Sequence, residues 1–226
     1  MLAPMTRRRA VAALAVGPVL ALTGCAGIGQ PAPYDSRGIN GLVIPTPSPD
    51  PDDFVDGVDN PWLSLAPGDT WRYVVTDDGR TLGGIDAEVL DATEQVAGLD
   101  ATVVRTTTDV GGRTGAEHRF YAQDEAGNVW LVGVERADGS LSWRAGEADS
   151  RAGLAMPADP RLGDGWLSYD VPGLPRASAT IEDQSRDLVQ VRDEADTTTR
   201  TVYEKGVGLV GLTDLDAGWT AELVED

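Results

Sequence analysis

The sequence predicts an all-β fold that is mainly antiparallel, and three observations support this class. β-Branched and aromatic residues recur in short runs, as in Trp71–Thr76 and Ala101–Thr108, and such residues suit a pleated surface. Turn-forming residues such as Asp77-Asp78-Gly79 separate the runs at intervals of about 8–12 residues. No stretch sustains the apolar stripe of an amphipathic helix. We therefore expect a single curved sheet, a half-barrel or a barrel-like domain.

Further strands are predicted along the rest of the folded part. They cover 118–123, 129–134, 141–143, 178–182, 187–191, 199–204, 208–213 and 218–224. Residues 145–165 interrupt the rhythm, because Gly146–Pro157 has weak helical potential and the rest is rich in proline and glycine. We expect a short helical or loop insertion there. It forms either a lid over one end of a barrel or a long surface connection.

The first 24 residues have the composition of a bacterial signal peptide. Arg7–Arg9 makes a basic start, and Ala10–Leu22 is an apolar run too short to cross a membrane, which takes about 20 residues. The run ends in Leu22-Thr23-Gly24-Cys25, which resembles the lipobox of bacterial lipoproteins. This resemblance implies cleavage before Cys25, the only cysteine of the chain, and attachment of lipid to it.

Acyl chains on Cys25 would hold the protein on a membrane without a membrane-spanning helix. We therefore expect a lipid-anchored protein on the extracytoplasmic face of the cell membrane. The alternative is a buried free cysteine beside an ordinary cleavage site. The export route stays open, because Thr6–Val11 partly resembles a twin-arginine signal and also fits a plain basic start. Met5 is a second candidate for the first residue.

Residues 25–59 are predicted to form a disordered tether, and residues 60–226 a single β-rich extracytoplasmic domain. The tether is rich in proline, glycine and aspartate, and proline alternates with other residues from Pro45 to Pro51. Such a run favours extended polyproline II conformations and forms neither a helix nor a strand ladder. A tether of this kind would lift the folded domain away from the lipid surface.

The composition excludes several classes of function. There are 18 Lys and Arg against 37 Asp and Glu, and the resulting charge of −19 disfavours nucleic acid, because binding it requires a basic face. A single cysteine excludes an internal disulfide framework and Cys-cluster metal sites. A single histidine excludes His-rich zinc motifs and leaves little room for a Ser-His-Asp enzyme. We expect no cofactor and no metal.

Three local patterns carry weak chemical signals. Gly206–Gly211 matches GxGxxG, but the helix that this motif needs has little room in the 15 residues that follow, so a turn or bulge explains it better. His118 lies in an alternating strand, and the sequence has no GxSxG nucleophile elbow. The acidic clusters at 50–59 and 193–196 lack the spacing of a calcium loop, and no two acids stand out as a glycosidase pair. We therefore predict no catalytic residue.

Tryptophan is the other chemically informative residue type, with six in the chain. Aromatic faces can line a cavity for an apolar or sugar ligand. The candidate ligand-lining residues are Trp71, Trp130, Trp143 and Trp166. Packing in the core is the alternative use of each of them.

The segment Asn60–Tyr73 is similar to the opening block of a family of uncharacterised secreted proteins and lipoproteins of actinobacteria, typically NPYxPLxPGxxWxY. Similar blocks follow at Phe120–Trp130, Gly153–Pro160 and Gly206–Val210, so the resemblance covers most of the folded part in order. Ser64 stands where the first block usually has proline. The resemblance implies a β-rich envelope domain, with an open, curved sheet like that of lipoprotein carriers. It implies no catalytic residues.

Together these observations predict a non-enzymatic binding module for an apolar ligand or another envelope component. The predicted partners are the membrane, through the lipid on Cys25, and such a ligand or an envelope protein. One alternative is a hydrolase of the cell envelope that uses two carboxylates across a cleft. Another is a structural or assembly lipoprotein, which would present a large exposed apolar patch.

Overall fold

The computed structural model describes residues 51–224, and nearly all of this range is strand or turn. A 3-10 turn, Pro51–Asp53, precedes the first strand. The strands are β1 (Phe54–Val55), β2 (Asp59–Asn60), β3 (Leu63–Ser64), β4 (Thr70–Asp77), β5 (Arg80–Val89), β6 (Glu94–Val96), β7 (Leu99–Val110), β8 (Arg113–Asp124), β9 (Val129–Arg136), β10 (Ser142–Arg144), β11 (Arg151–Met156), β12 (Gly165–Asp170), β13 (Ala177–Gln184), β14 (Leu188–Glu194), β15 (Thr198–Glu204), β16 (Gly208–Asp214) and β17 (Thr220–Leu223). The predicted all-β class is confirmed, and within the described range no helix is long and apolar enough to span a membrane.

Twelve of the strands close into an antiparallel barrel. Going round the ring, the order is β4, β5, β7, β8, β9, β11, β12, β13, β14, β15, β16 and β17, and β17 pairs with β4 to close it. Tight turns join many of these strands. Between β4 and β5, for example, Asp78 and Gly79 both have positive φ, 46° and 78°, as a two-residue hairpin loop requires.

The face of each strand that lines the lumen follows from packing across the ring. Val104 of β7 lies in one buried cluster with Ile181 of β13, on the far side of the ring. Val104 also pairs directly with Arg119 of β8, so both side chains leave the sheet on the same face. Side chains alternate along a strand. The lumen face of β8 therefore carries residues 117, 119 and 121, and its outward face carries residues 118 and 120.

Residues 53–68, the plug segment, close one end of the barrel. Three apolar side chains of this segment, Val58, Trp62 and Leu65, are buried in the same apolar cluster as Val104 and Ile181. Asn60 fixes the segment to the surrounding turns, because its side-chain amide donates to the carbonyls of Gly127 (2.8 Å) and Pro157 (3.1 Å). The turn after β15 donates a backbone hydrogen bond to the plug segment as well. This end of the lumen is consequently apolar and sealed.

The opposite end of the barrel is its open end. The turns that form its rim include 77–80, 110–113 and 194–198, which join β4 to β5, β7 to β8 and β14 to β15. Two side chains on the lumen face near this end, Arg119 and Arg136, are 47% and 46% exposed. Water therefore reaches the lumen from this side.

A second core, the outer cluster, lies on the outward face of β7, β8 and β9. Its buried members are Val96, Leu99, Ala101, Val103, Phe120, Ala122, Trp130, Val132, Ala145 and Leu154. The short strands β1, β6 and β10 pair with β8, β7 and β9 and belong to the cover of this face. The guanidinium of Arg144 completes the cover, 4.2 Å above the ring of Phe120. This part of the wall is therefore buried on its outer side.

The structure corrects two boundaries that the sequence predicts. The ordered domain begins before residue 60, because Phe54 and Val55 pair with Asp124 and Gln123 of β8. Residues 51–59 therefore belong to the domain and not to a tether. The predicted helical or loop insertion at 145–165 is wrong for residues 151–156, which form strand β11 of the ring. Gly153, Leu154 and Met156 pair there with β9, and this tertiary pairing outweighs the weak helical preference of the segment.

Candidate functional site

A group of polar side chains, the lumen cluster, crosses the interior of the barrel. Its members are Glu117, Arg119 and Tyr121 of β8, Asp193 of β14 and Tyr203 of β15. β8 and β15 are separated by five strands on either side of the ring, so they face each other across the lumen. The cluster therefore joins opposite walls of the barrel.

Glu117 anchors the charged half of the lumen cluster. Arg119 donates its Nε–H to one carboxylate oxygen of Glu117 at 2.6 Å, and Arg136 donates to the other at 3.1 Å. Burial acts to raise the pKa of Glu117, but the two guanidinium groups outweigh it and hold the pKa below its ordinary value. Two cations thus share one carboxylate at the open end of the lumen.

Asp193 has the opposite electrostatic environment. Burial raises its pKa, and the hydrogen bond from the Thr201 hydroxyl (3.0 Å) and the charge of Arg119 only partly offset this. Burial also raises the pKa of Tyr203, and the charge of Asp193 adds to the effect. Burial raises the pKa of Tyr121 as well, although the nearby Arg119 guanidinium acts to lower it. Asp193, Tyr203 and Tyr121 therefore all favour their neutral forms.

The guanidinium of Arg119 is charged, surrounded by protein and still open to water. Burial acts to lower its pKa, but Glu117 and Tyr121 outweigh it and the pKa is raised, so the cation persists. Its side chain is 47% exposed, whereas Phe120 beside it is fully buried in the outer cluster. The water that reaches Arg119 must enter through the open end of the lumen.

A partly apolar region adjoins Arg119 on the same face. Trp143 of β10 pairs with Val134 of β9, which pairs with Arg119, so all three side chains face the lumen. The Trp143 and Tyr169 rings lie 5.5 Å apart. Tyr169 also lines a cavity of about 200 Å³, together with Leu167, Asp170, Val171, Leu174, Pro175 and Arg176. Burial raises the pKa of Tyr169.

The four predicted ligand-lining tryptophans occupy different environments. Trp71 is half-buried on the lumen face of β4, and Trp143 is buried on the lumen face. Trp166 of β12 packs against the outer cluster and also against the apolar cluster in the lumen that holds Val104 and Ile181. Trp130 lies in the outer cluster, where its indole N–H donates to Asp124 at 2.7 Å, so it faces away from the lumen. The structure thus brings Trp143 near Arg119 and keeps Trp130 apart.

The other patterns have structural roles. His118 is half-buried on the outward face of β8, opposite Arg105 and Glu135. Gly206 and Gly208 take positive φ in the turn between β15 and β16. Among residues 51–224, no group of three or more His, Cys, Asp or Glu side chains is placed to hold a metal ion. Leu22, Thr23, Gly24 and Cys25 lie outside the described residues.

Comparison of the chain with protein-family models, with curated proteins and with solved structures gives no match. The similarity of Asn60–Tyr73 to actinobacterial secreted proteins stays a prediction.

Sequence reasoning missed the lumen cluster, because a charged residue in an alternating strand is normally read as solvent-facing. One signal pointed to it. Phe120 and Tyr121 are adjacent large aromatic residues on β8, and they leave the strand on opposite faces. A strand with a large aromatic side chain on each face is covered on both sides, so Arg119, next to them, is a candidate interior cation.

Proposed function

We propose that this protein is a lipid-anchored extracytoplasmic binding module that holds an apolar or amphiphilic ligand in the lumen of its barrel. One observation carries the proposal: a lumen that is sealed by Trp62 at one end and reached by water at the other. Ligand sites are typically concave and mostly apolar, with a few polar groups that orient the ligand. The lumen cluster would supply those polar groups.

The apolar part of this site lies on the strands next to the polar groups. Tyr73, Ile85 and Leu212 belong to a third cluster on β4, β5 and β16, and the last two are only half-buried. Partial exposure of aliphatic side chains inside a barrel leaves apolar surface in contact with water. A ligand that covers this surface would gain about 25 cal/mol for each Å² removed from water.

Two alternatives have less support. A carboxylate-dependent hydrolase needs two acids across a cleft, whereas two guanidinium groups hold Glu117 and this leaves Asp193 as the one acid of the lumen cluster outside an ion pair. A structural or assembly role needs a contiguous apolar patch on the surface. The exposed large apolar residues of the described range are scattered over separate strands and loops, for example Val74, Leu162 and Leu188.

The binding proposal can be tested with N-phenyl-1-naphthylamine, a neutral dye whose fluorescence rises in an apolar site. The full chain carrying Cys25→Ser is used so that no attached acyl chain competes for the lumen. We expect saturable binding of one dye per chain, with dodecanol displacing it. Binding that does not saturate would contradict the proposal.

Variants that fill the lumen locate the dye. Ala87 and Thr106 pair on the lumen face of β5 and β7, and both are half-buried. Ala87→Trp and Thr106→Phe should each weaken dye binding about tenfold or more. Val74→Trp, on the outward face of β4 where the side chain is 37% exposed, is the control and should bind as the parent does. Thermal unfolding of all three variants verifies that they fold.

The anchor is tested separately. Metabolic labelling with an alkyne analogue of palmitate should label the wild-type chain in the membrane fraction. Cys25→Ser should abolish both labelling and membrane retention. An unlabelled wild-type chain found in the cytosol would overturn the localisation without bearing on the lumen.

A further inference from the structure

The guanidinium of Arg119 has hydrogen-bonding capacity beyond its contacts in the barrel. Of its five N–H groups, the Nε–H donates to Glu117, and the group also lies within reach of the Tyr121 hydroxyl. The two terminal nitrogens of a guanidinium form a planar fork that matches the two oxygens of a carboxylate. The side chain is 47% exposed to the lumen, so this fork is accessible from the open end.

A second, independent observation concerns a side chain on the same face, two strands away. The side chain of Trp143 is 95% buried, and its indole N–H has no hydrogen-bond partner anywhere in residues 51–224. A buried donor without an acceptor costs about 1–3 kcal/mol, so such groups are rare and call for a specific reason. Trp143 and Arg119 flank Val134 on three adjacent strands and share the lumen face. An oxygen acceptor between them would satisfy both donors.

The charges of the site set the charge of that acceptor. Arg119 and Arg136 together carry two positive charges, and both bond to the single carboxylate of Glu117. Asp193 is the other acid that faces Arg119, and its raised pKa favours loss of its charge when a second anion arrives. Arg136 also interacts with the exposed Asp138, so the positive charge open to a ligand is centred on Arg119 and amounts to one at most. A carboxylate supplies one negative charge, whereas a phosphate monoester supplies nearly two.

We propose that the lumen binds a single-chain amphiphile by its carboxylate, with the head on Arg119 and the Trp143 indole N–H and the chain along the apolar surface of β4, β5 and β16. This inference rests on the proposed function of the lumen and names the class of its ligand. The aliphatic side chains of Ile85 and Leu212 pack against the chain.

The test compares three dodecyl compounds that differ only in their head group. Isothermal titration calorimetry measures binding of dodecanoate, dodecanol and dodecyl phosphate, below their micelle concentrations at pH 7.5, to the full chain carrying Cys25→Ser. We expect dodecanoate to bind about 10–100-fold more tightly than dodecanol, the range for a charged hydrogen-bonded pair. Dodecyl phosphate should bind more weakly than dodecanoate.

Matched arginine variants locate the head group. Arg119→Gln should remove the preference for dodecanoate over dodecanol, because it should lower the affinity for dodecanoate far more than the affinity for dodecanol. Arg105→Gln is the control, because Arg105 is 49% exposed and pairs with Glu88 on the outward face of the neighbouring strand. It should keep the full preference.

Three further variants keep the proposal testable if Arg119→Gln fails to fold. Glu117→Gln and Asp193→Asn each remove a negative charge that competes for Arg119, so each should raise the ratio of dodecanoate affinity to dodecanol affinity severalfold. Trp143→Phe removes the indole N–H and keeps an aromatic ring, so it should weaken dodecanoate binding severalfold.

The outcomes separate this inference from the broader proposal. Equal affinity for dodecanoate and dodecanol, or tighter binding of dodecyl phosphate, would overturn the carboxylate site and leave the lumen as an apolar binding site. A dodecanoate preference that persists in Arg119→Gln would overturn the assignment of the head group. Failure of all three compounds to bind would overturn the proposed function itself.

Discussion

Arg119 and Phe120 are neighbours on β8, yet they lie in opposite kinds of environment. Phe120 points out of the barrel and is fully buried beneath β6, β10 and the side chain of Arg144. Arg119 points into the barrel and is 47% exposed to water. Around Phe120, the buried apolar contacts of β8 therefore lie on the outer face of the wall. This frees its inner face to carry charge, which a solid interior would not tolerate without full pairing.

The largest expected effect comes from removing the outer packing. Phe120→Ala should reduce the free energy of unfolding by about 3–5 kcal/mol, because it leaves a cavity in a fully buried cluster. The measurement is the midpoint of chemical denaturation. Val74→Ala, on the exposed outer face of β4, is the control and should stay within about 0.5 kcal/mol of wild type. A small loss for Phe120→Ala would mean that the outer cluster contributes little to stability.

A lumen-facing glycine tests how closely the wall itself is packed. Gly153 of β11 pairs with Leu131, and a Cβ there would lie 2.3–2.5 Å from backbone atoms of Leu167 and Ser168. Gly153→Ala should therefore cost about 1–3 kcal/mol, measured by denaturation. Gly115→Ala on β8 is the control, because nothing lies within 4 Å of its Cβ position, and it should be neutral or slightly stabilising. Equal effects would refute the close approach of β11 and β12.

The charged side of the lumen should stabilise the barrel in a pH-dependent way. The pKa of Glu117 is lowered in the folded state, so its contribution is present above its ordinary value of 4.5 and is lost as the pH falls through the folded value. Glu117→Gln should thus lower stability by about 1–2 kcal/mol at pH 7. Thermal unfolding checks this: the difference in melting temperature between Glu117→Gln and wild type should be smaller at pH 3 than at pH 7. A difference that is independent of pH would argue against the ion pairs.

Asp193→Asn should change the stability in the opposite direction from Glu117→Gln, and by the smallest amount. Its pKa is raised in the folded state, so the protonated form is the stabilising one, and this contribution is lost as the pH rises through the folded pKa. Asp193→Asn keeps an oxygen that accepts from Thr201 and removes the charge. It should raise the melting temperature at pH 7 by a few degrees, about 2–4 °C for each kcal/mol. In acid the variant and wild type should converge, and a destabilised variant at pH 7 would contradict the assignment.

Much of the fold could be predicted from the sequence because its signals are local. Asp78-Gly79 specifies a hairpin turn through the φ values that it permits, and the run Ala101–Thr108 specifies a strand through β-branching. The barrel was one of the predicted forms, but its closure depends on β8 pairing with β9 and on β17 pairing with β4, 144 residues apart at Thr76 and Thr220. No local pattern encodes such a pairing.

The candidate site was less predictable for the same reason. Arg119 and Asp193 face each other only because the ring has closed, and each looks like an ordinary solvent-facing residue in its own strand. Trp143 was predicted as a ligand-lining residue and does lie on the lumen face, whereas Trp130 of β9 turns outward. The strand register decides which face each tryptophan occupies.

The position of the plug segment also determines where mechanical force acts on the molecule. A pull transmitted through Pro51 reaches the short pairing of β1 with β8 and the hydrogen bonds of Asn60 first, and all of these lie at the sealed end. The rim at 110–113 and 194–198 bears none of that tension directly. A force applied to the chain from its amino-terminal side would therefore strain the plug segment before it distorted the open end.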